Sequence, residues 1–160
     1  RGPTAAALRA LPCGSAAQVI DQMVNRGIFT PRGRPDSCII NFYSEGDCIP
    51  PHIDHHDFTR PFVTLSLVSE QSILFGPNIK ILDEGEFDAP FSLALPVGSV
   101  LVLDGNGADV SKHCIPSVRA DRVSITFRRI DQSRARMLPF KGPRGEEGGG
   151  GGRRAAARAA

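Results

Sequence analysis

The chain has 160 residues, 41% of them hydrophobic and 22% charged, with a net charge of +2. That is enough for one domain around a single core. No stretch approaches the roughly 18 consecutive apolar residues of a membrane span, and no charged n-region followed by an apolar h-region opens the sequence. Four cysteines (Cys13, Cys38, Cys48, Cys114) lie 25, 10 and 66 residues apart without a C-x-x-C pair. Free thiols in a reducing compartment are therefore expected, and with them an intracellular location in nucleus or cytoplasm. The chain opens on Arg1 rather than Met, as a fragment lacking its true N-terminus and any targeting signal would.

The charge is unevenly spread. Residues 131–160 hold seven basic side chains against three acidic ones, or +4, which leaves −2 for residues 1–130. The folded part is thus no basic slab, and any affinity for nucleic acid has to come from local patches or from the tail.

In chain order, residues 1–34 read as an N-terminal helical or lid segment. Residues 16–26 place Ile20, Met23 and Val24 on one helical face, with Gly27 as a stop signal and Pro31 beyond it. From 35 to 130 the pattern turns into short strand-like runs between Gly, Pro and Asp. They fall at 38–43, 62–68, 73–75, 79–82, 92–95, 99–103, 112–115 and 122–127. Such runs without intervening helices predict a mostly β fold, an antiparallel sandwich or jelly roll with a helix packed outside. Residues 131–160 include five consecutive glycines (148–152) and an Arg/Ala run with no apolar period. This composition cannot offset its ordering entropy, so the expectation is a disordered tail, either weakly attractive to RNA or simply solvated.

Three of the four histidines share one window, PPHIDHHDF, as His52, His55 and His56, while His113 lies 61 residues beyond His52. On a strand, side chains two apart point the same way, so His52 and Asp54 can turn toward one cation while His113 approaches from a facing strand. Two imidazoles and a carboxylate on one side of a metal leave the other positions open, as non-haem Fe(II) oxygen chemistry requires. His-x-Asp is also common by chance, and a structural or surface role stays open on spacing alone.

The flanking runs add to this. Asn41 and Tyr43 sit two apart on the first expected strand. The run RVSITFRR alternates Arg122, Ser124, Thr126 and Arg128 with Val123, Ile125 and Phe127. Arginines turned into a β-barrel are costly unless an anion meets them, and Arg122 would suit a dicarboxylate held by its planar fork. An outward strand with solvated arginines is the alternative.

NFYSEGDCIPPHIDHHDF, GSVLVLDGNGADVSKHCIP and RVSITFRR, in this order across about residues 35–130, resemble the AlkB-type Fe(II)- and 2-oxoglutarate-dependent dioxygenases. Within them the likeness is to the plant and green-algal RNA N6-methyladenosine demethylases. The resemblance implies a double-stranded β-helix (jelly-roll) core, Fe(II) on His52, Asp54 and His113, and the co-substrates 2-oxoglutarate and O2. It implies 2-oxoglutarate contacts from Asn41, Tyr43, Arg122, Ser124 and Arg128, with Arg122 on the far carboxylate. Ser124 stands where some relatives carry Asn. The implied activity is removal of N6-methyl groups from adenosine in mRNA by hydroxylation, with loss of formaldehyde and formation of succinate; no membrane is involved. Candidate substrate contacts are His55, His56, Asp57 and Phe58, with Arg32 and Arg34 for phosphates. Two alternatives stand beside this: an AlkB-type repair enzyme for other alkylated bases in DNA or RNA, and a non-catalytic RNA-binding module on the same fold.

Overall fold

The structure is a computed structural model that describes residues 13–135. The start of the expected lid and nearly all of the expected tail lie outside the described residues.

Helix α1 (Cys13–Asn25) is followed by a 3-10 turn (Pro31–Gly33) and the strands β1 (Ser37–Tyr43), β2 (Ile49–His52), β3 (Phe58–Leu67) and β4 (Gln71–Gly76). Then come β5 (Lys80–Asp83), β6 (Glu86–Asp88), β7 (Phe91–Leu95), β8 (Val100–Leu103), helix α2 (Asn106–Asp109), β9 (Lys112–Ile115), β10 (Arg122–Ile130) and helix α3 (Gln132–Ala135). Two four-stranded antiparallel sheets, ordered β1-β10-β3-β8 and β2-β9-β4-β7, form the jelly roll expected from the sequence, with β5-β6 as a separate ribbon. Among the described residues no helix is long and apolar enough to cross a membrane.

Period-2 alternation puts apolar clusters on both faces of the β1-β10-β3-β8 sheet. On β10, Phe127 and Ile125 turn outward and meet Met23, Val19, Ile20 and Val24 of α1, together with Val63 and Leu65 of β3. The helix ends as its sequence suggests: Ile28 N–H donates to Met23 O and Gly27 N–H to Val24 O, both at 2.9 Å, with Gly27 at φ +73°. This paired cap needs a left-handed residue, which glycine supplies without steric cost. Between the sheets, Tyr43, Ile73, Leu95, Ile115 and Val118 form the second cluster. A third, Phe62, Leu103 and Ala108, seats α2.

Several elements differ from the sequence expectation. β2 contains Pro50 and Pro51, whose missing N–H groups argue against a strand; it is tolerated because β2 is the edge of its sheet and pairs only with β9. β6 is three residues, Glu-Phe-Asp, too short to carry a pattern. Its ribbon docks through Gly85, at φ +76°, where a Cβ would fall 1.7 Å from Ser117 Oγ. Residues 132–135, placed in the tail by composition, form the helical turn α3.

Candidate metal and co-substrate site

His52 and His113 are directly paired across the β2–β9 ladder, with ring centroids 4.4 Å apart. Asp54 is not on the strand, as the alternation argument had it. β2 ends at His52, and Asp54 follows in the loop, its carboxylate brought back to the histidines. Asp54 Oδ2 lies 3.4 Å from His113 Nε2, and Oδ1 lies 4.0 Å from His52 Nε2. Donor atoms of all three lie within 4.8 Å of one another, compact enough to share one cation.

Two details fit metal binding. His52 Nδ1 is 2.9 Å from the carbonyl of Pro50, and a carbonyl can only accept, so Nδ1 carries the proton and Nε2 keeps its lone pair. Without a metal, burial pushes the Asp54 carboxyl up, but the hydrogen bond from His113, the charge that His113 and His52 carry when protonated, and the Arg128 guanidinium hold the group below its ordinary value. The carboxylate form, which a metal needs, is therefore favoured.

The three ligands open into a cavity of about 240 Å3 between the sheets. Asn41, Tyr43, Arg122, Ser124 and Arg128 all line it, so the outward-facing alternative for the last strand is overturned. Arg122 is 1% exposed and Arg128 7%. Arg122 Nη2 donates to Ser66 Oγ at 3.1 Å, and its guanidinium lies 5.0 Å from the Tyr43 ring centroid. Tyr43 OH and Ser124 Oγ share a hydrogen bond of 3.3 Å.

Arg122 Nε and Nη1, Arg128 Nε and His113 Nδ1 are buried without a protein partner. An unmet buried donor costs about 1–3 kcal/mol, more when charged. Orphaned guanidinium N–H groups on a cavity wall are therefore a strong sign of an anionic ligand. The acid-poor lining points the same way: Asp54 is the one carboxylate among the described lining residues.

The expected substrate residues are less uniformly placed. Phe58 packs under the Arg128 guanidinium, 3.9 Å from ring centroid to Cζ. His55, 74% exposed, lies 3.1 Å from the Asp57 carboxylate, and His56 is exposed on the same loop. Arg32 is exposed in the 3-10 turn and Arg34 pairs with Asp21 of α1; none of these six expected substrate residues lines the cavity. Sequence reasoning missed Ser66 and Thr64. Thr64 Oγ1 meets Thr126 Oγ1 at 3.0 Å across β3 and β10. Their signal was available: two hydroxyls two apart within the apolar run PFVTLSL, the same alternation as β10.

The family model for the 2OG-Fe(II) oxygenase superfamily matches residues 4–128. The chain belongs to that superfamily. Its metal and its co-substrate fit the cavity: three ligands for Fe(II), and orphaned arginine donors for the carboxylates of 2-oxoglutarate.

Relatives within the superfamily agree with the AlkB-type motifs. The chain is 57% identical over 116 residues to the Arabidopsis thaliana RNA demethylase ALKBH9B, covering 72% of this chain and 23% of that protein. It is 38% identical over 112 residues to ALKBH10B of the same plant, 70% and 20% covered. With the RNA demethylase ALKBH5 of Xenopus laevis it shares 35% over 125 residues, 77% and 34% covered. The chain therefore spans about a third or less of these relatives' own length. Among solved structures, OsALKBH1 aligns with a TM-score of 0.44 and 21% identity, covering 71% of this chain and 60% of that one. The Escherichia coli ribosomal oxygenase YcfD aligns with a TM-score of 0.48 and 17% identity, covering 75% and 30%.

Proposed function

We propose that this chain carries the catalytic core of an oxidative demethylase that removes N6-methyl groups from adenosine in RNA, mRNA included. The supporting observation is the cavity itself, which joins a His-Asp-His triad to two inward arginines with three buried donors, Arg122 Nε and Nη1 and Arg128 Nε, that lack protein partners.

The residues divide the work. His52, Asp54 and His113 hold Fe(II) on one side and leave the opposite positions free. Arg122 would offer its unmet Nε and Nη1 to a carboxylate of 2-oxoglutarate, with Tyr43, Asn41, Ser124 and Arg128 lining the same cavity. When bound, Fe(II) and 2-oxoglutarate would supply oxidation of the N-methyl carbon by O2, with one oxygen atom going to succinate and the other to the carbon lost as formaldehyde, carbon dioxide being released and the proton staying on N6. Phe62, Leu101 and Leu103 give the cavity apolar walls that limit water. His55 and His56, on the loop after Asp54, and Phe58, at the start of β3, are the candidate contacts for a base taken out of its stack, and exposed Arg32 is available to a phosphate.

Cationic 1-methyladenine or 3-methylcytosine would be stabilised by a free carboxylate, whereas N6-methyladenine carries no such charge. Asp109 is paired with Arg60 and Asp54 belongs to the metal site, which leaves Asp57, beside His55, as the loop carboxylate on which the choice between the two substrate classes turns.

The test is mass spectrometry of an N6-methyladenosine RNA oligonucleotide after incubation with the chain, Fe(II), ascorbate and 2-oxoglutarate. A 3-methylcytosine DNA oligonucleotide and a His52→Ala variant run in parallel. Methyl loss from the RNA with matching succinate is expected. Loss from the 3-methylcytosine oligonucleotide alone would assign a repair activity, and no turnover of either with iron bound would assign a non-catalytic module.

A further inference from the structure

His52 and His113 owe their placement to a strand ladder; Asp54 does not. It sits in residues 53–57, between β2 and β3, where no regular pairing holds the backbone. A carboxylate that must meet two fixed imidazoles from an irregular loop needs another source of order.

That order comes from the loop's carbonyls. Arg60 Nη2 donates to Asp54 O at 3.2 Å. Its Nη1 donates to His55 O at 3.1 Å and to Phe58 O at 2.7 Å. Arg134 Nη1 donates to His56 O at 3.0 Å, and Asp131 N–H to Asp57 O at 2.8 Å. Every carbonyl from 54 to 58 therefore receives a donor, and one guanidinium serves three of them.

Arg60 is itself fixed from two further sides. Its Nε donates to Asp109 Oδ1 of α2 at 2.8 Å, and its plane lies 4.5 Å from the Phe62 ring centroid. The side chain is only 11% exposed. A guanidinium can span separate carbonyls because its five donors are rigidly forked, whereas a lysine offers one point charge.

We propose that Arg60, seconded by Arg134, is the positioning residue that shapes the Asp54 loop for metal binding before any ion arrives. The inference rests on the metal-site reading above. Arg60 touches neither metal nor substrate; it acts through the backbone of Asp54. The Asp109 contact also joins this loop to α2, so the segments on both sides of the ligand set are braced by one side chain.

The test measures Mn(II) affinity of the full metal-free chain by calorimetry, with amide hydrogen exchange and melting alongside. Arg60→Lys keeps the charge but removes the fork. It is expected to weaken Mn(II) binding by about 10–100-fold and to speed exchange across residues 54–58, while protection of β1 and β10 holds. Asp109→Asn, which frees Arg60 without deleting it, is expected to give a smaller loss in the same direction. Unchanged Mn(II) affinity in Arg60→Lys would overturn the proposal, as would a loss of protection spread through both sheets, the mark of a merely structural role. Asp54→Ala separates the two readings. Wild-type affinity there would remove the metal site itself, whereas lost affinity there beside an intact Arg60→Lys would remove only the positioning role.

Discussion

The two faces of β10 are built from alternate residues of one strand and do opposite things. Outward, Phe127 and Ile125 join α1 in an ordinary apolar cluster. Inward, Arg122, Ser124 and Arg128 are buried beside a cavity, with three guanidinium nitrogens left unmet. The outer face stabilises the fold and the inner face costs stability, which is what a ligand-binding wall looks like before its ligand is counted. Period-2 geometry lets both exist on nine residues.

Substitutions on the two faces should therefore come apart. Phe127→Ala on the outer face should cost about 3–5 kcal/mol by leaving a cavity against α1, read by denaturant unfolding. Arg122→Met on the inner face should leave melting unchanged or raised, since it replaces a buried charge with an apolar chain of similar length. The same variant should raise the 2-oxoglutarate requirement at least about tenfold, as loss of a charge-assisted pair of about 1.5–3 kcal/mol demands. If Arg122→Met unfolds the chain as readily as Phe127→Ala, the division between the faces is wrong.

The smallest expected effect concerns Cys114, beside His113 on β9. Burial, reinforced by nearby Cys48, pushes its thiol up to about 11. A raised value means that little thiolate exists at pH 8, and the side chain is fully buried. Mass spectrometry after brief iodoacetamide treatment of the native chain should find Cys114 unmodified, and labelled only after unfolding. Rapid native labelling would show the β9 side of the site to be open.

What could be read in the sequence follows the same division. Where structure is local and periodic, it was legible: the α1 face, the inward arginines of β10, and Asn41 with Tyr43 on β1. Alternation left two readings of Arg122, buried against an anion or solvated with Val, Ile and Phe turned inward, and the cavity behind β10 decided for burial. What escaped depends on partners distant in the chain. β2 hid behind Pro50 and Pro51 because only its edge position excuses them. Arg60 looked like a loop residue ahead of a strand, yet its partners include Asp109, 49 residues away. Asp54 was assigned to the right cluster for the wrong reason, a shared strand face, when a loop turn returns it. Ser66 was missed although its alternation was visible.

The most direct test of the central claim, that one cavity holds Fe(II) and 2-oxoglutarate together, is an anaerobic absorption titration. Fe(II) is added to the wild-type chain with and without 2-oxoglutarate, beside His52→Ala and Arg122→Met. The account predicts a charge-transfer band that needs both Fe(II) and 2-oxoglutarate, is absent in His52→Ala, and is recovered in Arg122→Met only at higher 2-oxoglutarate. A band of undiminished intensity in His52→Ala, or none in the wild type with Fe(II) bound, would contradict it.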